Sequence, residues 1–139
     1  MPEGTCYLAE EDLGAFIETM IRRGMVSQRA VDAYRLARLH LAGPVHVADL
    51  TDDGWAGAGL DAASTAGVDR AASQELALRL RQAGFGGVRW RLRRSMSGAL
   101  IGVALFGEAG ARGWDYASEP IPEELVKRAV RRFRLRYRP

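Results

Sequence analysis

Apolar residues in this chain change period several times within 139 residues, and that alternation constrains the fold more than any single motif. Thr5-Cys6-Tyr7-Leu8 reads as a short strand. A helix over residues 11–22 follows, where Leu13, Phe16, Ile17, Met20 and Ile21 recur at i, i+3, i+4, i+7 and i+8 and form one apolar stripe. Glu10, Glu11 and Asp12 place negative charge at its start, Arg22 and Arg23 place positive charge at its end, and Gly24 can stop it. Tyr34 to Leu41 and Val45 to Leu50 read as two strands joined at Ala42-Gly43-Pro44, a candidate hairpin, although the first could instead continue a helix from Ser27. Residues 51–68 are rich in Gly and Ala and are expected to be irregular. Asp69 can cap a helix in which Ala72, Leu76, Leu80 and Ala83 share a face and Gly84 ends it. Two strands follow, Gly87 to Leu92 and Ala99 to Phe106, joined by the polar turn Arg93 to Gly98. A last helix opens at Ile121-Pro122 with the stripe Leu125, Ala129 and Phe133, and the alternating run from Phe133 to Arg138 suits an edge strand. The class is α+β, with helices packed on a small mixed sheet.

Composition narrows the function. The chain is 47% hydrophobic and 27% charged, which suits one small core with no room for a separate cofactor domain. No apolar run approaches the ~18 residues of a membrane span, and the start lacks a signal-peptide pattern. A single cysteine, Cys6, excludes an intramolecular disulfide framework and fits a reducing compartment, so a cytoplasmic location is expected. With only His40, His46 and that thiol, a closed structural zinc site is not expected. The net charge of +3 comes from the C-terminus: residues 119–139 hold seven basic and three acidic side chains, leaving residues 1–118 near neutral. Residues 1–118 are read as the domain and 119–139 as a helix and strand docked on it, with their arginines in water. That reading needs no nucleic acid as a partner.

Short motifs carry little weight alone. Gly57-Ala-Gly59-Leu-Asp-Ala62 matches a dinucleotide-binding string, but six residues separate it from the preceding strand, and a phosphate turn must follow its strand directly. His40 and His46 read as ordinary sheet histidines, and Cys6 as a buried, inert thiol. Arg89 and Arg91 share one face of their strand, with Trp90 and Leu92 on the other.

Glu18 stands off the apolar stripe of its helix, and its company gives it meaning. Tyr7-Leu8-Ala9, Ala15 and Glu18 form a frame that continues in order with Ala48-Asp49-Leu50-Thr51, Ser73-Gln74-Glu75-Leu76-Ala77, Gly84-Phe85-Gly86-Gly87-Val88-Arg89-Trp90 and Val103-Ala104-Leu105-Phe106. This set resembles the RES domain, named for its Arg, Glu and Ser, over residues 4–107. The resemblance implies an ADP-ribosyltransferase-like fold acting on NAD⁺ as substrate, with no separate cofactor. It also implies toxins of toxin–antitoxin pairs, with an antitoxin and a second copy as possible partners. Glu18 would be the catalytic carboxylate and Tyr7 would line the nicotinamide side. Cleaving the nicotinamide–ribose bond builds positive charge on the ribose, which a fixed carboxylate stabilises. Two departures follow from the same comparison. The family's Arg lies upstream of the tyrosine strand, and this chain begins six residues before Tyr7, so either the chain is truncated or that half of the pocket is absent. The family's Ser falls on Leu92, which cannot hydrogen-bond a ribose or phosphate; Ser95 and Ser97 lie nearby. Arg89 and Arg91, with Arg93 and Arg94, are the candidates to bind the diphosphate instead. The alternative is a degenerate member that keeps the fold for binding without catalysis.

Overall fold

The computed structural model describes residues 3–58, 70–110 and 113–139. The chain divides into two units, one formed by Met1–Glu10 with Pro44–Arg112 and the other by Glu11–Gly43 with Gly113–Pro139. Both mix helix and strand, as the alternating periods predict.

The first unit is a four-stranded mixed sheet. β1 (Glu3–Ala9), β4 (Val47–Asp49), β5 (Gly87–Arg91) and β6 (Ile101–Glu108) lie in the order β1-β6-β5-β4. β6 is antiparallel to both neighbours, with Tyr7 opposite Ala104 and Ala104 opposite Val88. β4 runs parallel to β5, a pairing that requires a long crossover, and α3 (Arg70–Gln82) lies within that connection. Gly84, at φ +96°, closes α3 with two bonds, Gly84 N–H to the Arg81 carbonyl and Phe85 N–H to that of Leu80. Leu80, Leu92, Leu100, Ala104 and Leu105 are buried.

In the second unit, α1 (Asp12–Met20) buries Leu13, Phe16, Ile17 and Met20, the predicted stripe. The helix ends earlier than its charge pattern suggests. Ile21 turns extended, and Arg22 and Met25 exchange backbone hydrogen bonds around Arg23 (φ 52°) and Gly24 (φ 72°), a tight turn with both central residues left-handed. β2 (Met25–Ser27) follows, and the Ser27 hydroxyl caps α2 (Gln28–Ala33) by accepting from Ala30 N. α4 (Glu123–Phe133) buries Leu125, Val126 and Ala129 and packs against α1, with Arg128 Nη2 2.6 Å from Asp12 Oδ1. β8 (Arg136–Arg138) pairs in parallel with β2.

The candidate hairpin is corrected. Its first strand, β3 (Arg35–His40), pairs antiparallel with β7 (Asp115–Pro120), while its second belongs to β4 in the other unit's sheet. Each half finds a partner far along the chain: Arg38 reaches Glu119 at 3.5 Å, and Arg35 donates to the Ser118 hydroxyl at 3.2 Å. The dinucleotide-like string beyond Ala58 and the Asp69 cap fall outside the described residues.

Gly87 is fixed by close approach. A Cβ there would lie 2.4 Å from the Ala104 carbonyl oxygen, a backbone atom that cannot rotate away. Gly87→Ala should therefore destabilise the protein by about 1–3 kcal/mol, the usual cost of overpacking. Denaturant unfolding checks this, and a stability equal to the parent's would contradict it.

Candidate functional site

The β1-β6-β5 register assigns each candidate side chain to a face. Residues directly opposite one another share a face, and successive residues alternate. Tyr7, Ala104 and Val88 therefore share one face, joined by Trp90 two residues beyond Val88. Tyr7 is 75% exposed, and its ring meets the Trp90 indole edge-on, with centroids 6.4 Å apart. Gly102, opposite Trp90, makes room for the indole: a Cβ there would come within 2.8 Å of Trp90 Cζ2.

Arg89 and Arg91 project from the other face, as their alternation with Trp90 predicts. Arg89 is held from two sides. Its Nε and Nη2 donate to the two carboxylate oxygens of Glu10 at 2.5 and 3.2 Å, and Nη1 donates to both oxygens of Asp49 at 3.2 and 3.1 Å. Thr51 completes the group: its hydroxyl donates to Asp49 Oδ1 at 2.6 Å and accepts from Arg89 Nη1 at 3.3 Å. Hydrogen bonding to Glu10, then to Asp49, raises the guanidinium pKa further above its already high value. The Asp49 carboxyl is held below its ordinary pKa, first by the Thr51 hydroxyl and less by Arg89, against the opposing effect of burial. Arg91 is exposed and donates to the carbonyls of Gly98 at 2.9 Å and Thr51 at 3.4 Å. The sheet thus separates Tyr7 from both arginines, and Arg89 spends its donors on neighbouring carboxylates.

Leu92 is 4% exposed, and its Cδ2 lies 2.7 Å from where a Cβ on Gly102 would stand. It is a core residue. Ser95, 6% exposed, accepts from Leu100 N at 3.3 Å and lies 3.4 Å from the Ser97 hydroxyl, so its oxygen holds the turn after β5. Glu18 is exposed on α1 in the second unit, with no hydrogen-bond or ion-pair partner among the described residues.

Sequence reasoning missed a cavity of about 850 Å³ in the second unit, lined among others by Val31, Tyr34, Arg35, Val126, Lys127 and Tyr137. None of the residues in the Tyr-to-Glu frame lines it. It forms where α2, α4 and β8 meet, a convergence of segments about 100 residues apart. Cys6 is half-buried, more open than expected, and free. His40 and His46 are exposed in separate units, and His46 packs 4.8 Å from the Phe85 ring. No group of three or more His, Cys, Asp or Glu among the described residues is placed to hold a metal, and no described helix is long and apolar enough to cross a membrane.

Compared with known families, the chain matches the model for the RES domain over residues 3–127. No curated protein and no solved structure matches it.

Two outcomes follow from this geometry. Leu92→Ser should lower unfolding free energy by about 2–5 kcal/mol, as truncation of a buried leucine does; denaturant unfolding reads it. The Asp49 contribution is present above the ordinary aspartate range and is lost as pH falls through its depressed folded-state value. Acidification should therefore erode the melting temperature of the parent more steeply than that of Asp49→Asn, with the two curves converging at low pH.

Proposed function

The chain belongs to the RES domain family, and from that premise we propose that it acts on NAD⁺ by cleaving the bond between nicotinamide and ribose. The observation that carries this reading is the state of the two residues in the Tyr-to-Glu frame. Tyr7 offers an exposed ring braced edge-on by Trp90, and Glu18 offers an exposed carboxylate with no cation partner among the described residues. A flat aromatic wall suits the nicotinamide ring. The carboxylate accepts a hydrogen bond from the ribose 2′-hydroxyl and stabilises the positive charge that develops as nicotinamide leaves. Water, phosphate or a protein side chain then captures the ribosyl carbon, giving degradation of NAD⁺ or ADP-ribosyl transfer. Arg89 and Arg91 face away from Tyr7, and Arg89 is engaged by Glu10 and Asp49. The reading therefore rests on Tyr7 and Glu18 and gives these arginines the task of ordering the sheet. In a toxin–antitoxin setting, NAD⁺ depletion would be the toxic event and a protein antitoxin its partner.

One observation favours a second reading. Leu92 fills the core at the position where the family pattern has serine. A chain built this way can keep the fold and an NAD⁺ surface for binding alone.

Incubation of the purified protein with NAD⁺, with nicotinamide measured, separates the two. Under the catalytic reading nicotinamide is released, and Glu18→Gln lowers the rate by about 10²- to 10³-fold, the loss expected when a positioned transition-state charge is removed. Tyr7→Ala should weaken NAD⁺ binding while leaving the melting temperature close to that of the parent. NAD⁺ binding without nicotinamide release selects the second reading, and neither binding nor release overturns both.

A further inference from the structure

Several charged side chains in the second unit form ion pairs: Arg38 with Glu119, Lys127 with Glu123 and Glu124, and Arg128 with Asp12. A group of arginines does not. Arg22, Arg23, Arg134, Arg136 and Arg138 are exposed and have no carboxylate partner among the described residues. They come from opposite ends of the chain, and the fold joins them. Arg136 N donates to the Gly24 carbonyl at 3.0 Å, which sets the Arg22–Arg23 turn beside the strand that carries Arg136 and Arg138.

The direction of these side chains follows from the strand. Val26 is fully buried and lies opposite Tyr137, whose hydroxyl donates to Gln28 Oε1. Alternation then sends Arg136 and Arg138 to the other face, into solvent, one pleat repeat apart. Arg131 and Arg132, in the last turn of α4, also lack a carboxylate partner and extend the charge along the chain.

Backbone conformation adds an independent observation. Among the described residues only two that are not glycine have positive φ, Arg23 at 52° and Arg134 at 50°. Both positions favour glycine, and both hold an exposed arginine, one in the turn beside β8 and one between α4 and β8. Glycine would relieve this strain, so each arginine here carries its charge at a cost in backbone energy.

From this surface we infer that the second unit binds the phosphate backbone of a nucleic acid. Exposed guanidinium groups without carboxylate partners among the described residues, two of them one pleat repeat apart on β8, complement the phosphates of such a backbone. The exposed charge of this group is of one sign, with no carboxylate partner among the described residues, and so suits a polyanion. On the linear sequence the tail's arginines read as the wet side of a docked helix and strand. The contact between Arg136 and Gly24 changes that by adding the Arg22–Arg23 turn to the same surface.

The test uses the full chain without NAD⁺, so its outcome is separate from the reading above. Fluorescence anisotropy of a labelled short duplex, and of the corresponding single strand, is measured across a salt series. The parent should bind at low salt, with log affinity falling linearly with log salt. Arg23→Gly combined with Arg134→Gly relieves two strained positions and should keep or raise the melting temperature. It should weaken binding by about tenfold or more at moderate salt and reduce the salt slope by about two. Arg136→Gln combined with Arg138→Gln must show the same loss, and the corresponding lysine pair must retain the slope. A parent that binds neither strand form at low salt overturns the inference, as do glycine and glutamine variants that bind like the parent. Preferential binding to anionic lipid vesicles or to polyglutamate under the same conditions also overturns it.

Discussion

The register of β6 is the constraint on which the first unit depends. It pairs with β1 on one side and β5 on the other, so its alignment sets the outward and inward faces of three strands together. A slip of one residue on either side would move every side chain of the displaced strand to the opposite face. Small residues on β6 hold the alignment. Gly102 admits the Trp90 indole, and the Ala104 carbonyl crowds Gly87 so closely that no side chain fits there. Tyr7 owes its position to this fit, since the indole that braces it can lie where it does only above a residue without a Cβ.

The opposite face is organised by charge. Glu10, Asp49 and Arg89 come from the end of β1, from β4 and from β5, so their ion pairs tie three separate strands at one point. The exposure of this group is intermediate, with the Arg89 side chain 29% and the Asp49 side chain 47% accessible, so the pairs gain only part of the strength of a buried network. Geometry rather than energy is their main contribution. Five hydrogen bonds to one guanidinium, including that to Thr51, allow a single arrangement of the strand ends next to Tyr7 and Trp90.

What could be read in the sequence divides by range. The stripe of α1, the Gly84 stop, the β5 and β6 strands and the alternation of Arg89 with Trp90 are local patterns, and each appears where its spacing places it, β6 two residues later than expected. The family frame from Tyr7 to Glu18 was equally local. The misassigned hairpin failed because nothing near residues 42–44 reveals that each flanking strand prefers a partner far along the chain. β7 escaped notice for a related reason: Asp115–Pro120 is exposed along its whole length and shows no apolar alternation, so only β3 makes it a strand. The contact between Arg89 and Glu10 has the same limit, because the two lie 79 positions apart and no spacing rule brings the carboxylate to the guanidinium.

Charge is also distributed by unit rather than by position along the chain. The basic tail supplies α4 and β8, but its meaning depends on partners. Near the start of α4, cations meet Glu123, Glu124 and Asp12, and there they serve the fold. Towards the C-terminus the carboxylates stop, and beside β8 the Arg22–Arg23 turn adds further positive charge instead of neutralising it. Mutual repulsion there opposes folding, and left-handed arginines at Arg23 and Arg134 add backbone strain to that cost. The well-packed core around Ile17, Val26 and Ala129 offsets both, which is why this unit can carry a surface that its own electrostatics disfavour.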